Sequence, residues 1–511
     1  MSNMDVFQLY KPFRNKVAAL AVMESLYVVW AYCRALQFRA KFQFPSDIET
    51  DGQFLTSRVP QKFVAEWELE TLAREIILNA QTTASTRRTL RSWSGMAGVI
   101  NALRHLENEI YRLCSTDDQV LVELIRIAHR QFIWQTNYPN GASAIRFFRI
   151  FDHPEIDTVC LARVGLTIRE VYLCGMAILG HFVQRPVENL PLKSHFSNLS
   201  DEQVARFLAF TSRTLADMRQ ELRKEQQYNS KFAYAYGVLR ARPLVTVTRG
   251  QTEVLLCPLP TLLFWRITGG LYYELVGDLR FSQPFGDNFQ RYVGEVAERA
   301  CGSGRIKLLP EQRYGPKAVQ RDTVDWILDD GDAALFLECK AKRLSRDAKT
   351  ELDDLRPLDS DIEHMANAVL QVYKTASDYH GNQYPHFAFK PGRKIFPAVV
   401  TLENWHMFGP EMLSRLRQAV EAKLSASGMS PGLLSTMPYS VWAIEELERA
   451  LQIVDSVRLL DFLDGKIEDK EMRGWEWAGY MTHRFGEGFA RRNLFHQEYL
   501  SMFEGLTPQG E

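Results

Sequence analysis

The chain has 511 residues, 46% of them hydrophobic, with 61 Lys and Arg against 62 Asp and Glu and a formal net charge of −1. That length and apolar content suffice for two or three domains with real cores and exclude a chain without them. The balanced charge excludes recruitment of nucleic acid by a global field and leaves only local basic patches. The 7 cysteines show no metal-binding spacing such as CxxC and read as free thiols of a reducing compartment.

The opening residues MSNMDVFQLYKPFRNK lack the apolar core of a secretory signal. The run Val17 to Tyr32 carries Glu24 and is short for a bilayer span, so a cytoplasmic protein without a membrane is expected. The first half reads as mainly helical. Ser200 with Gln203 makes a capping-box pattern, and Val204, Phe207, Leu208, Leu215, Met218 and Leu222 continue it as one helical stripe. Less regular helical patterns cover Val120 to Trp134 and Ala162 to Val183, with breaks at Asn137 to Ala142 and Gln184 to Leu192. Arg87, Arg88 and Arg91 beside Trp93 form a candidate basic patch, against the commoner reading of a solvated face.

Near Arg242 the composition turns β-rich, and PLVTVT, RGQ and TEVLLC predict a small connecting hairpin. From Phe285 the predicted order is helix (285–300), strand (306–313), strand (322–328), strand (333–340), helix (361–379) and strand (394–402). A helix from Glu411, a strand at PYSVWAI and a helix from Glu445 follow. The expected fold class is an α/β C-terminal core with a mixed sheet, preceded by a mainly α-helical N-terminal domain. Residues 1–240 make the helical domain, 241–280 the hairpin region, and 281–511 the core with an α/β extension.

The chemistry concentrates in RDTVDWILDDGDAALFLECKAKRL, Arg321 to Leu344. Asp330-Gly331 is a strong turn signal between two apolar runs, so the strands pair directly. On the second strand Phe336, Glu338 and Lys340 share one face, and Leu335, Leu337 and Cys339 the other. The hairpin brings Asp325 close to Glu338. Two carboxylates so placed repel unless one protonates or a divalent cation joins them, and magnesium, which prefers oxygen ligands and keeps waters, suits such a place. ExK also occurs at Glu421 and Glu468, but only Glu338 ends an apolar strand with an aspartate on the strand before.

Those residues, inside the order helix, three strands, helix, strand, resemble the PD-(D/E)xK nuclease superfamily, which includes many restriction-type endonucleases, over residues 281–405. The resemblance implies a magnesium-dependent nuclease, with manganese as a substitute ion. Asp325, Glu338 and the Cys339 backbone carbonyl would hold the metal, and Lys340 would orient or activate the attacking water. An acid from the leading helix often joins them, and Glu295, at the edge of the buried stripe, is preferred to Glu298. Gln371 on the second helix is an auxiliary candidate. Lys342 would contact phosphate, with Arg343, Arg346 and Lys349 behind it, unless that run is a solvated face. Asp322 is the alternative to Asp325. The chain departs from the family pattern at Gln290, where relatives often carry the helix acid, at Val324 in place of a proline, and at Thr375 in place of a tyrosine.

The partner implied is DNA, with RNA left open because nothing here reads a 2′-hydroxyl. The helical half would select the target or bind a protein partner, and a homo-oligomer is compatible. Phage defence or restriction is the setting that the resemblance implies. Two other classes stay open: a catalytically silent nuclease fold used for binding or scaffolding, and a helical regulatory protein with an incidental ExK.

Overall fold

The structure, a computed structural model, describes residues 3–37, 42–82, 88–114, 120–135, 140–193, 199–235, 237–350, 354–406, 410–486 and 492–504. The chain is mixed helix and sheet with a helical N-terminal half. It divides into two compact units, one of Met1–Val120, Arg126–Phe281 and Phe495–Glu511, the other of Leu121–Ile125 and Ser282–Leu494.

The first unit packs helices around Tyr10, Trp30, Leu72, Ile76, Ile100 and Leu103. Its helix Glu66–Asn79 is buried on nearly every side, four glutamates included. Buried charges persist only when paired, and these largely are: Arg104 bonds Glu68, Arg240 bonds Glu70, and Arg74 and Tyr10 bond Glu75. Strands β1 (Val187–Asn189), β2 (Ser212–Thr214), β3 (Leu244–Arg249) and β4 (Thr252–Leu256) form a four-stranded sheet in the order β1-β4-β3-β2. The predicted hairpin is therefore the middle of a sheet belonging to this unit, and the predicted break at Gln184 to Leu192 contains its edge strand.

The single helix expected after Ser200 is two, Asp201–Thr211 and Leu215–Glu225, with β2 between them paired parallel to β3. Val204 and Leu215 lie three turns apart to within about 20°, so both apolar stripes stay in phase and periodicity cannot reveal the interruption. Thr214 caps the second helix at the Asp217 N–H. Likewise the helical pattern over 162–183 is interrupted by Gly165 in a left-handed conformation (φ 79°), and a capping box of Thr167 and Glu170 starts the helix Ile168–Gln184. Among the described residues no single helix is long and apolar enough to cross a membrane. Pro154–Val164 and Ile168–Gln184 reach that length only together, across a 60° bend, and their Ile156, Val159, Val171, Tyr172 and Phe182 are buried.

The second unit holds strands β5 (Lys307–Pro310), β6 (Arg313–Tyr314), β7 (Arg321–Asp322), β8 (Trp326–Asp329), β9 (Ala333–Lys340), β10 (Lys394–Thr401) and β11 (Ser440–Ala443). Five of them form one mixed sheet, β11-β10-β9-β8-β5, with β9, β10 and β11 parallel and β8 antiparallel to both its neighbours. The first six residues of β9, AALFLE, are all buried, as expected of a central strand covered on both faces. Pro397 is tolerated in β10 because β11 pairs only from Ala398 onward. The predicted hairpin turn forms at Asp330-Gly331, with Gly331 at φ 79° and the Asp330 N–H bonded to the Ala333 carbonyl at 2.9 Å.

The strands predicted at 306–313 and 322–328 are each split. β6 and β7 leave the sheet as a separate two-stranded ribbon, and the sheet resumes at Trp326.

Helices cover both faces. The long helix Arg356–His380 lies on the Phe336 side, where Ile327, Phe336 and Val399 meet Met365, Val369, Val372 and Tyr379. The leading helix Ser282–Ala300 lies on the other side, where its Gly294 meets Trp326, the cross-strand partner of Leu337. A Cβ at Gly294 would sit 2.2 Å from Trp326 Cζ2, whereas one at Gly286 in the same helix meets nothing within 4 Å. Gly294→Ala should therefore cost about 1–3 kcal/mol through overpacking, and Gly286→Ala should be neutral or stabilise by up to about 1 kcal/mol. Urea unfolding of the two variants checks this pairing, and equal midpoints would contradict it.

Candidate active site

The β-register gathers the acids. Trp326 pairs with Leu337 and Pro310 pairs with Trp326. One step further along the same registers sets Asp325 opposite Glu338 and Glu311 opposite Asp325. The Glu311 N–H donates to the Asp325 carbonyl at 2.8 Å, so the outer pairing continues past the regular strand. Directly opposed residues share a face at about 4.5–5.5 Å. Three carboxylates thus form a row across the ends of three strands. Lys340 stands two residues beyond Glu338 on that face, its Nζ 2.6 Å from Glu338 Oε1 and 3.5 Å from Gln371 Oε1 on the long helix.

Asp325 lies just before β8 rather than within it. The Cys339 N–H, which has run past the end of β8, donates to Asp325 Oδ2 at 2.6 Å, so the carboxylate takes the place of a missing strand carbonyl. The Cys339 carbonyl projects toward the same edge, because both backbone groups of a strand residue point to one side.

Burial sets the electrostatics. Glu338 is 2% exposed, and its carboxyl is pushed up to about 8, first by desolvation and then by repulsion from Asp325, with Lys340 opposing. Desolvation raises Asp325 to about 6 against the Cys339 N–H and Lys340, which favour the carboxylate, and Glu311 adds repulsion. For Lys340, burial disfavours the ammonium but Glu338 and Asp325 outweigh it, so its pKa lies above the usual value. Burial, and then Asp325, lifts the Cys339 thiol well above its ordinary value, which leaves it a poor nucleophile.

One acceptor is left over. Glu338 Oε2 is buried with no hydrogen-bond partner, an arrangement that costs free energy unless another group arrives. Among the described residues no three His, Cys, Asp or Glu side chains are gathered closely enough to hold a metal ion. A closed protein cage is thus absent there. The donor set instead fits an ion that takes one or two carboxylates and keeps its waters, as magnesium does.

The other sequence candidates have different surroundings. Asp322 is tied to Arg313 at 2.8 Å on the outlying ribbon and is exposed, away from the pair. Glu295 lies 3.7 Å from Arg291 on the leading helix, and it is not among the main groups acting on Asp325 and Glu338, as Glu311 is. Gln290 is the leading-helix residue that reaches this end: its amide donates to Glu311 Oε2 at 3.3 Å and its carbonyl accepts from Trp326 Nε1 at 2.8 Å. Thr375 is buried and its carbonyl is bonded by Tyr384.

Lys342 is 3.1 Å from the buried Asp361, and Arg343 and Lys349 both grip Glu403. Arg343 is only 7% exposed. Arg343 and Lys349 are thus not a solvated face, and with Lys342 they pin the segment after β9 to internal acids, while Lys342 and Arg346 remain exposed. Arg91 bonds Glu24 and Asp47, and Arg87 lies outside the described residues.

Sequence reasoning missed Glu311 and read Gln290 only as a departure from the family pattern. The register that places Glu311 opposite Asp325 is set across residues 311–325, whose ribbon no local pattern specifies. No protein-family model, curated protein or solved structure matches the chain.

An unfolded glutamate titrates near about 4.3, whereas Glu338 in the fold titrates near about 8. Between those values the unfolded chain releases a proton that the folded chain keeps, so this group's contribution to stability is full below about pH 4 and is lost as pH rises to about 8. Glu338→Gln stays neutral throughout. Its urea midpoint should gain on that of the parent as pH goes from 4.5 to 8, and a gap that does not change with pH would show that Glu338 ionises normally in the fold.

Proposed function

We propose that this protein is a magnesium-dependent nuclease that hydrolyses phosphodiester bonds in DNA, built on a PD-(D/E)xK-like core. The observation that carries the reading is the orphaned, buried oxygen of Glu338 beside Asp325 and Lys340, at the end of a central strand. The order leading helix, β5, β8, β9, long helix, β10 supports the family resemblance. The helical first half is read as the part that selects the target or a protein partner, in a phage-defence or restriction setting.

Asp325, Glu338 and the Cys339 carbonyl would hold the ion, with Glu311 at the exposed rim. A divalent cation held there would supply Lewis acidity toward a phosphoryl oxygen and would lower the pKa of a water, so that it gives up a proton to solvent and attacks as hydroxide. The chain's own groups do the rest. Cys339 N–H fixes the Asp325 carboxylate, and Gln290 restrains Glu311. Lys340, steadied by Gln371 and Glu338, keeps a protonated ammonium where it can orient the attacking water and offset charge on the phosphoryl oxygens. The second reading, a silent nuclease fold that binds without cleaving, draws on the absence of a three-ligand cluster among the described residues.

Purified protein incubated with plasmid, linear duplex and single-stranded DNA, and with RNA, should cleave in magnesium or manganese and not in chelator. Asp325→Asn, Glu338→Gln and Lys340→Ala should each lower the single-turnover rate by about 10²–10³-fold, and Glu311→Gln by less. Lys342→Ala breaks a pair whose acid is buried, so it should lower the urea midpoint and leave the rate per folded molecule intact. A parent protein that cleaves none of the substrates would leave the binding module as the surviving reading.

A further inference from the structure

One face of the long helix carries no negative charge of its own. Every acid on Arg356–His380 is neutralised: Asp359 by Arg415, Asp361 by Lys342, Glu363 by Lys423 and Asp378 by Arg321. Between these pairs lie Ser360, His364, Asn367, Gln371 and Lys374, all exposed. At 100° per residue they fall within an arc of about 80°, and at 1.5 Å per residue they extend over about 21 Å. His364, Asn367 and Lys374 make no hydrogen bond or ion pair with any described residue. Gln371, inside the stripe, is the residue that touches Lys340.

We infer that this stripe is the track along which one strand of the DNA substrate lies, its sugar-phosphate backbone led into the acidic row at Gln371. The inference rests on the nuclease reading. Among the described residues, Lys340 is the one cationic side chain that the row itself presents, so further hold on a polyanion must come from beside it. Of the cations after β9, Lys342, Arg343 and Lys349 are already engaged with Asp361 and Glu403. The stripe offers amide, hydroxyl and imidazole groups that bond phosphate and sugar without regard to sequence, and one free ammonium. At about 3.4 Å per nucleotide, its length matches about six nucleotides of one strand. With a single unpaired lysine, the track depends on salt only weakly.

The test uses the full chain with His364→Ala, Asn367→Ala and Lys374→Ala combined, all at exposed positions, and with Asn367→Asp alone as a charged block. Single-turnover cleavage is titrated with enzyme in magnesium, and anisotropy of a fluorescent 20-mer is read in the Glu338→Gln background. The triple variant should raise the half-saturating enzyme concentration at least tenfold, leave the plateau rate within twofold, and weaken anisotropy binding by a similar factor. Lys374→Ala alone should reduce the slope of log affinity against log salt by about one. An unchanged half-saturation in a triple variant, with cleavage still lost in Lys340→Ala, would overturn the track and leave the nuclease reading standing. If the parent neither binds nor cleaves any nucleic acid, both fall together.

Discussion

The second unit is arranged around the burial of one carboxylate. Glu338 ends a central strand whose preceding residues are sealed between two helices, and an isolated ionised carboxylate there would be prohibitively costly. Lys340 answers one of its oxygens. The strand order brings Asp325 alongside, which makes the electrostatic problem worse, and the other oxygen is left open. A fold that needed only stability would have placed an apolar residue at the position, since paired charges in cores rarely outperform hydrophobic packing. The proposed metal site would supply the missing partner of that oxygen from solution.

Much of this unit is legible in the sequence because its signals are local. The β9 run, the Asp330-Gly331 turn, the leading and long helices and β10 follow from hydrophobic runs, a turn pair and helical periodicity, each set by residues next to one another. Asp325, Glu338 and Lys340 come together for the same reason: a tight hairpin fixes its own register, so counting outward from the turn pairs them. Glu311 cannot be found by counting, because the ribbon β6–β7 separates it from β8 and carries no independent signal of length. The break between the helices at Ser212 is hidden by phase, and the fate of Lys342, Arg343 and Lys349 depends on Asp361 and Glu403, acids remote in sequence.

The cations near the candidate site are mostly committed to acids of the same unit. Those that follow the motif in sequence are consumed in fixing the chain after β9 onto the long helix and onto Glu403. By quenching Asp361, Lys342 also keeps negative charge off the helix that carries Gln371. The ion pairs at Asp359 and Glu363 act in the same sense. Each exposed pair contributes little to stability. Their joint effect on potential is larger, since a polyanion senses the sum of the charges within a Debye length.

A buried acid elsewhere in the same unit shows what separates a site from scaffolding. Burial pushes Glu446 up to about 7, and it is 7% exposed, much like Glu338. Its two oxygens, however, accept from the Ala443 N–H at 2.9 Å and from the Ala478 N–H at 3.1 Å. It closes a helix N-terminus and ties a second helix to it, and no acceptor is left over. Lys466, whose ammonium lies 4.9 Å over the Trp477 ring and whose Nζ bonds the Arg473 carbonyl at 3.3 Å, is satisfied in the same inward way. Displaced acidity follows from burial in both carboxyls, so it cannot distinguish them. The distinguishing feature is the unspent lone pair of Glu338, beside a second carboxylate and an ammonium at the end of a sheet, whereas both oxygens of Glu446 are taken by backbone N–H groups.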